Sequence, residues 1–349
     1  MVRVAPILGR VASVAGALLL AATSVQAGGF AIREQSTSGL GSAFAGIAAG
    51  GDLSSIYWNP AALAAVPGMS FESHYSLLML DAELTATSAV NQTAGGPVDL
   101  LGAGFSATSG NIFDLAVVPA SYGGMQLNSK LSIGVGLNSP FGLVSDPEDS
   151  DYAGAELARR ASIFTINLNP VVSYKISDSI AIGVGPQVEY MKATLKFATG
   201  APFNPSTSFK GDTDKVDLGF TAGVMLTPMR GTSIGLGFRS SVEHELRGRF
   251  RTQPGVLLPG PFVTPDRFNI AAKAKIETPE IVTLSLKQAI NPKLTAMATF
   301  EWTNWSRFDT LTVSSTASGE TIGAFVANAG NPGDTGWDNP SGAQSRLGR

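Results

Sequence analysis

Two histidines, His74 and His244, are the only side chains in this 349-residue sequence that could serve as an imidazole base. Glu72, His74 and Ser76 share one face of an alternating stretch and supply the acid, base and nucleophile types of a hydrolase. No Gly-x-Ser-x-Gly elbow or oxyanion arrangement accompanies them, so a wall position is the stronger reading of His74. His244 lies between Glu243 and Glu245, and no His-x-x-x-His spacing is present. The expectation is therefore no catalytic residue, no metal and no cofactor. The remaining reactive groups form a charge run, in which Arg239, Glu243, Glu245, Arg247, Arg249 and Arg251 share one parity opposite Ile234, Leu236, Phe238, Val242, Leu246 and Phe250. These charges are expected to face an interior and wet it. In a second reading, Arg239 is a counter-ion for a carboxylate.

The elements that position these groups follow from hydrophobic patterning. Arg3 and Arg10 flank the start of an apolar run, Val11 to Ala22, which closes with Val25-Gln26-Ala27; residues 1–27 are read as a secretory signal peptide. Hydrophobic residues make up 44% of the chain and charged residues 15%, with net charge −3 and no cysteine. Past the signal no apolar run is long enough to cross a bilayer as a helix, and the charge excludes a nucleic-acid binder. Instead Leu131, Ile133, Val135 and Leu137 alternate with Ser132, Gly134, Gly136 and Asn138. The same rule holds from Phe164 to Ile176 and from Val216 to Thr227, with Met225 the exception. That is the apolar-out, polar-in pattern of a transmembrane antiparallel β-barrel. Short turns at Asn128–Lys130, Ser177–Ser179, Pro228–Gly231 and Asn291–Lys293 alternate with long irregular segments, Ala86–Asn111, Asn138–Ala161, Ala198–Lys215 and Thr252–Arg267. About nine strands are predicted, near 70–84, 113–126, 131–138, 162–176, 180–197, 216–227, 232–251, 268–288 and 294–315. A bacterial barrel has an even number. With 316–349 read as a further external loop, the expectation is a C-terminally truncated barrel over 69–349.

Residues 28–68 lack any period of two and contain "SSIYWNPAAL". Gly29-Phe30, Glu34-Gln35-Ser36, Ser38-Gly39-Leu40-Gly41, Ala45-Gly46 and Asn59-Pro60-Ala61 make this stretch resemble the N-terminal hatch of the FadL/TodX family. Those proteins are outer-membrane transporters for long-chain fatty acids and other hydrophobic compounds. The likeness continues through Phe141-Gly142-Leu143, Asp151-Tyr152-Ala153-Gly154, Phe238-Arg239-Ser240, Thr278-Pro279-Glu280 and Trp305-Ser306-Arg307-Phe308. It implies a fourteen-stranded barrel plugged by the N-terminal segment, a monomer in the outer membrane of a Gram-negative bacterium.

For function the resemblance implies passive uptake: capture on external loops, hatch movement, and sideways exit through a gap in the wall. Phe30, Asn59, Pro60 and Ala61 become hatch and gating residues, and Gly134 and Gly136 candidates for a wall kink. Lys196 matches a basic ligand-binding position, although counting from Ile180 it takes the lipid-facing parity and points inward only through a bulge. A second basic position appears as Thr312, which leaves room for neutral ligands such as aromatic hydrocarbons. Rival classes are a lipase-like barrel enzyme and a structural or adhesive barrel.

Overall fold

The computed structural model describes residues 30–93, 96–149, 152–155, 159–198, 206–213, 215–252, 269–308, 310–319, 321–326 and 336–338. The expected signal peptide, most of the Thr252–Arg267 loop and the terminal Leu347–Arg349 lie outside them. The chain divides into two units, Met1–Ala31 and Ile32–Arg349; everything below concerns the second unless stated.

Alternating sequence becomes strand at each of the nine expected positions, although 70–84 leaves the wall at Leu78 and 232–251, 268–288 and 294–315 are each broken in two. In chain order the strands are β1 (Met69–Leu78), β2 (Glu83–Thr85), β3 (Val90–Thr93), β4 (Gly96–Asp99), β5 (Thr108–Asn111), β6 (Ala116–Gln126) and β7 (Leu131–Asn138). There follow β8 (Gly142–Ser145), β9 (Arg160–Ser177), β10 (Ile180–Ala198), β11 (Ser206–Thr213), β12 (Asp217–Met229), β13 (Thr232–Arg239) and β14 (Glu243–Thr252). Last come β15 (Asn269–Glu277), β16 (Ile281–Asn291), β17 (Leu294–Thr303), β18 (Thr310–Ser315), β19 (Thr321–Val326) and β20 (Gly336–Asp338). Sixteen of them form one sheet, and every pairing in it is antiparallel.

The sheet is a meander in which β10 is the longest strand. Its first half pairs β12, and its second half pairs β11. The next long strands are likewise broken in two: β13 and β16 continue the lower tier after β12, whereas β14 and β15 continue the upper tier after β11. The breaks adjoin one another. Ser240 N–H donates to the Phe220 carbonyl (2.9 Å), Thr278 N–H to the Val242 carbonyl (2.9 Å) and Asn304 N–H to the Glu280 carbonyl (3.0 Å). Pro279 has no N–H to give a ladder, which accounts for the break between β15 and β16.

Below this line the outer face is apolar and exposed: Ile133, Val135, Leu168, Val172, Ile182, Val184, Leu218, Phe220, Leu236, Leu284 and Phe300 all point away from the interior. On β10 the band runs from Ile180 to Tyr190, matching the roughly 9–11 residues with which a tilted strand crosses a bilayer. Among the described residues no helix is long and apolar enough to do so. The interior face of the same tier is polar and buried, with Ser132, Asn167, Asn169, Ser173, Gln187, Thr221, Thr283 and Ser285. This is the wall of an all-β transmembrane barrel. Met225, which breaks the alternation, is buried against Ala61, Ala62, Ala64 and Ala181 of the interior.

Four expectations need correction. The charge run on β14 does not face inward: Glu243, Arg247, Arg249 and Arg251 are exposed, and His244, Leu246 and Phe250 are buried. The break at Ser240–Val242 shifts the parity by one, so only Arg239, on β13, keeps the interior side. Part of the segment read as irregular, Ala198–Lys215, is strand β11. The tail likewise continues the sheet through β19 and β20, because Gly319 (φ 73°) turns the chain back after β18. Within Ala86–Asn111 short strands pair as β2–β5 and β3–β4, the former reaching back to Glu83.

Candidate functional site

The interior of the lower tier holds residues 36–66. Ser36 caps a single helical turn, Thr37–Gly41, its hydroxyl accepting from Gly39 N–H (2.9 Å). Three short 3-10 turns follow, Ile47–Ala49, Leu53–Tyr57 and Pro60–Ala65. Asn59 opens the last of them. Pro60 confines it to extended geometry (φ −149°, ψ 104°), and its Oδ1 accepts from Ala61 N–H (3.0 Å). The Nδ2 group donates to the Ala48 carbonyl (2.8 Å) and to Val224 of β12 (3.1 Å). One fully buried amide thus joins two parts of the segment to the wall.

The wall is shaped to receive it. A Cβ on Gly235 would collide with the Ala48 carbonyl, one on Gly237 with the Trp58 carbonyl, one on Gly223 with Asn59 Oδ1, and one on Gly183 with the Pro60–Ala61 peptide. Hydrogen bonds from strands on several sides complete the seat. Glu72 on β1 accepts from Leu53 and Ser54 N–H (2.8 and 3.0 Å), and the Ser173 hydroxyl on β9 donates to the Ala61 carbonyl (3.3 Å). Lys287 on β16 donates to the Gly50 carbonyl (2.7 Å), and Thr299 on β17 donates to the Phe44 carbonyl (2.9 Å) while accepting from Gly46 N–H (2.8 Å). Since β1 and β17 lie far apart along the meander yet hold the same segment, the sheet curls around it.

Arg239 belongs to this seat. Its guanidinium bonds Gln187 and the Tyr57 carbonyl (3.1 Å) and lies 4.2 Å from the centroid of the Tyr57 ring. Burial pushes the Tyr57 phenol up to about 12, against the opposing charge of Arg239. These contacts occupy the charge that the sequence offered to a ligand. His74 bonds Thr37 (Nδ1 to Oγ1, 2.8 Å), and Ser76 donates to the Glu34 carbonyl (3.3 Å) rather than to the imidazole. The hydrolase-like trio therefore holds the segment too.

Above the breaks the interior reverses in character. Met191, Leu195, Phe209, Leu246, Phe250, Ile276 and Val313 are buried together and fill the upper chamber of the interior as one apolar cluster, with outward positions taken by Lys192, Lys210, Arg247 and Lys275. Between chamber and segment lies a polar tier in which His244, fully buried, meets Glu189 (Nε2 to Oε1, 3.0 Å) and Asp217 (Nδ1 to Oδ2, 2.8 Å). Neither feature was foreseen, and the tier's signal lay in the glutamate and aspartate placed among apolar alternation at Glu189 and Asp217.

The other expected residues are dispersed. Lys196 pairs Arg160 and Ser208 in an unbroken register from Val188 onward, so no bulge turns it inward, and it stays on the outer parity of β10. Thr312 lies between the buried Leu311 and Val313 on β18 and so takes the opposite face. Gly134 and Gly136 sit in β7 within a regular register. A Cβ at Gly134 would meet Leu63 of the segment at 3.0 Å, and one at Gly136 the Tyr122 ring at 3.2 Å. Phe30, in the first unit, is buried.

The sequence profile described as "Outer membrane protein transport protein (OMPP1/FadL/TodX)" matches residues 18–326. The chain belongs to the FadL/TodX family. It is 27% identical to Outer membrane protein P1 of Haemophilus influenzae over 336 residues, covering 86% of this chain and 71% of that protein. It is 22% identical to the long-chain fatty acid transport protein of Escherichia coli K12 over 345 residues, covering 89% and 74%. Among solved structures, a Pseudomonas aeruginosa FadL homologue superposes with a TM-score of 0.71 at 23% identity, covering 85% of this chain and 74% of that one. The P. putida toluene transporter TodX gives 0.50 at 14% identity, covering 76% and 69%. As a FadL/TodX member the chain is an outer-membrane protein that transports hydrophobic compounds. The motifs shared with the FadL/TodX family around Arg239, Pro279 and Trp305 all fall at the strand breaks, where the interior changes from polar to apolar.

Proposed function

We propose that this protein takes up hydrophobic molecules passively, through capture in the apolar chamber, displacement of the segment from 28 to 68 as a hatch, and sideways exit through the wall. One observation supports the reading most: the interior is apolar above the strand breaks and polar, glycine-lined and filled by the segment below them. A water-filled pore gives no reason for an acyl or aryl group to enter, since each buried CH2 is worth about 0.8 kcal/mol. The chamber supplies that apolar surface, and the hatch closes the polar route beneath it. Phe30, Asn59, Pro60 and Ala61 act as hatch residues on this reading, and exit near β7 uses the short reach of that strand beside the much longer β9.

Long-chain fatty acids are the substrates that the resemblance implied. A second reading, neutral hydrocarbons such as small aromatics, is favoured by Lys196 and Thr312 taking the outer face and by Arg239 being engaged with Tyr57. Uptake assays in a strain lacking its own transporter, comparing oleate with toluene, separate the two. Uptake of neither would refute the proposal.

A further inference from the structure

We infer that a polar cup beneath the apolar chamber, formed by Asn138, Asn167 and Glu189, holds the neutral polar end of an otherwise apolar ligand, a hydroxyl or an undissociated acid. The inference rests on the transport reading above and specifies its ligand.

The three residues lie side by side on adjacent strands. Asn138 of β7 is opposite Asn167 of β9, which is opposite Glu189 of β10. All are buried, at 3%, 0% and 1% exposure. Asn138 leans inward over Gly136, where a Cβ would come within 3.3 Å of its Nδ2. The cup adjoins the chamber: on β9 the interior positions run Ile163, Thr165, Asn167, and on β10 Met191 and then Glu189.

Among the described residues, Asn138 Nδ2 and Oδ1 and Asn167 Oδ1 have no hydrogen-bond partner. Buried amides left in this state are rare and unfavourable. The cup therefore offers a donor and acceptors at the foot of the apolar cluster. A hydroxyl satisfies both kinds of group. An ether satisfies only the donor, and a hydrocarbon neither. An ionised carboxylate is disfavoured, because it can only accept, and of the two amide donors Asn167 Nδ2 is already given to Glu189 Oε2 (2.9 Å).

The test uses equilibrium dialysis of the full-length protein held in amphipol, with protein-free amphipol as blank. The probes are n-octanol, heptyl methyl ether, n-octane and octanoate. In the unaltered protein n-octanol binds about fivefold more tightly than the ether, the equivalent of one net hydrogen bond. Asn138→Leu removes that preference while n-octane still binds, which shows that the chamber is still formed. Equal affinity for alcohol and ether in the unaltered protein, as when water fills the cup, overturns the inference without needing a variant. So does octanoate binding more tightly than the alcohol. If n-octane itself fails to bind, the transport reading falls and takes the cup with it.

Discussion

Asn59→Ala tests whether the segment acts as a gate, and its size can be worked from the contacts. The substitution removes a helix-cap acceptor, worth about 1 kcal/mol, from Ala61 N–H. It also removes the donor to the Ala48 and Val224 carbonyls. Leaving the Ala48 carbonyl and Ala61 N–H buried without partners costs roughly 1–3 kcal/mol each, the lost cap being contained in the second, so the local penalty is roughly 2–6 kcal/mol. A change of that size raises the population of a locally detached segment by between about 30-fold and about 10,000-fold, while the wall strands keep their own ladders. Two readouts follow. Liposome swelling in a small sugar increases, because the polar tier is no longer plugged, and uptake of a hydrophobic substrate falls while equilibrium binding in the chamber stays at its unaltered level. Asn59→Ser separates the terms, since a serine hydroxyl caps Ala61 N–H without the donor to both carbonyls, and it gives an intermediate leak. A folded Asn59→Ala protein with unaltered sugar permeability and full uptake would refute the gating role.

Gly237→Ala places a methyl group against the Trp58 carbonyl and lowers the melting temperature and folded yield well beyond Gly41→Ala, whose added Cβ meets nothing within 4 Å; equal melting temperatures would show that the segment is not seated on β13. Leu246→Asp puts a charge into the fully buried chamber wall and reduces hydrophobic-ligand binding more than tenfold, with sugar permeability unchanged; retained binding would place the ligand elsewhere. Asp52 is partly buried, which alone would raise its pKa, but hydrogen bonds from Ser38, Ser54 and Ser55 outweigh this and hold it below its ordinary 3.8. A depressed folded-state value contributes stability above the unfolded pKa and loses it as pH falls through the folded one. Leak through the barrel therefore rises only below about pH 4, and Asp52→Asn flattens that part of the profile; a leak profile identical in both proteins would dismiss Asp52 as a tether.

All nine strand positions were legible because a wall between lipid and a polar interior imposes a strict period of two, and Leu131 to Leu137 or Val216 to Thr227 can satisfy it in only one register. The halves of the long strands were not separable by the same rule. Across Ser240–Val242 the alternation continues on paper, yet the chain leaves the ladder and rejoins it shifted by one, so Arg247, Arg249 and Arg251 exchange sides with Leu246 and Phe250. Lys196 shows the opposite case. Plain counting placed it on the outer face, and the unbroken register of β10 bears that counting out.

The site was legible only where a residue type carries a geometric demand of its own. Asn-Pro announces a capped turn, and Asn59 makes one. Gly183, Gly223, Gly235 and Gly237 announced nothing, because a glycine on the polar face of an alternating strand reads as one more small interior residue. Its use is visible only when another backbone is found in the space that a Cβ would fill. The same reasoning explains why a seat for the segment and a chamber for a ligand can share one set of strands. Below the breaks, small side chains let backbone approach backbone, and polar groups from β1 to β17 supply the bonds that the segment's short turns leave open. Above them the wall has left the bilayer, its outer face is free to be charged, and the inner face can be apolar without exposing a polar surface to lipid. β10 crosses this boundary in one unbroken register and changes composition alone, Gln187 and Glu189 giving way to Met191, Ala193 and Leu195 inside, and Ile182 and Val184 to Lys192 outside. The breaks at Ser240–Val242 and at Thr278–Glu280 reach the same change by exchanging faces, so that the even-numbered apolar positions point outward in β13 and β16 and inward in β14 and β15.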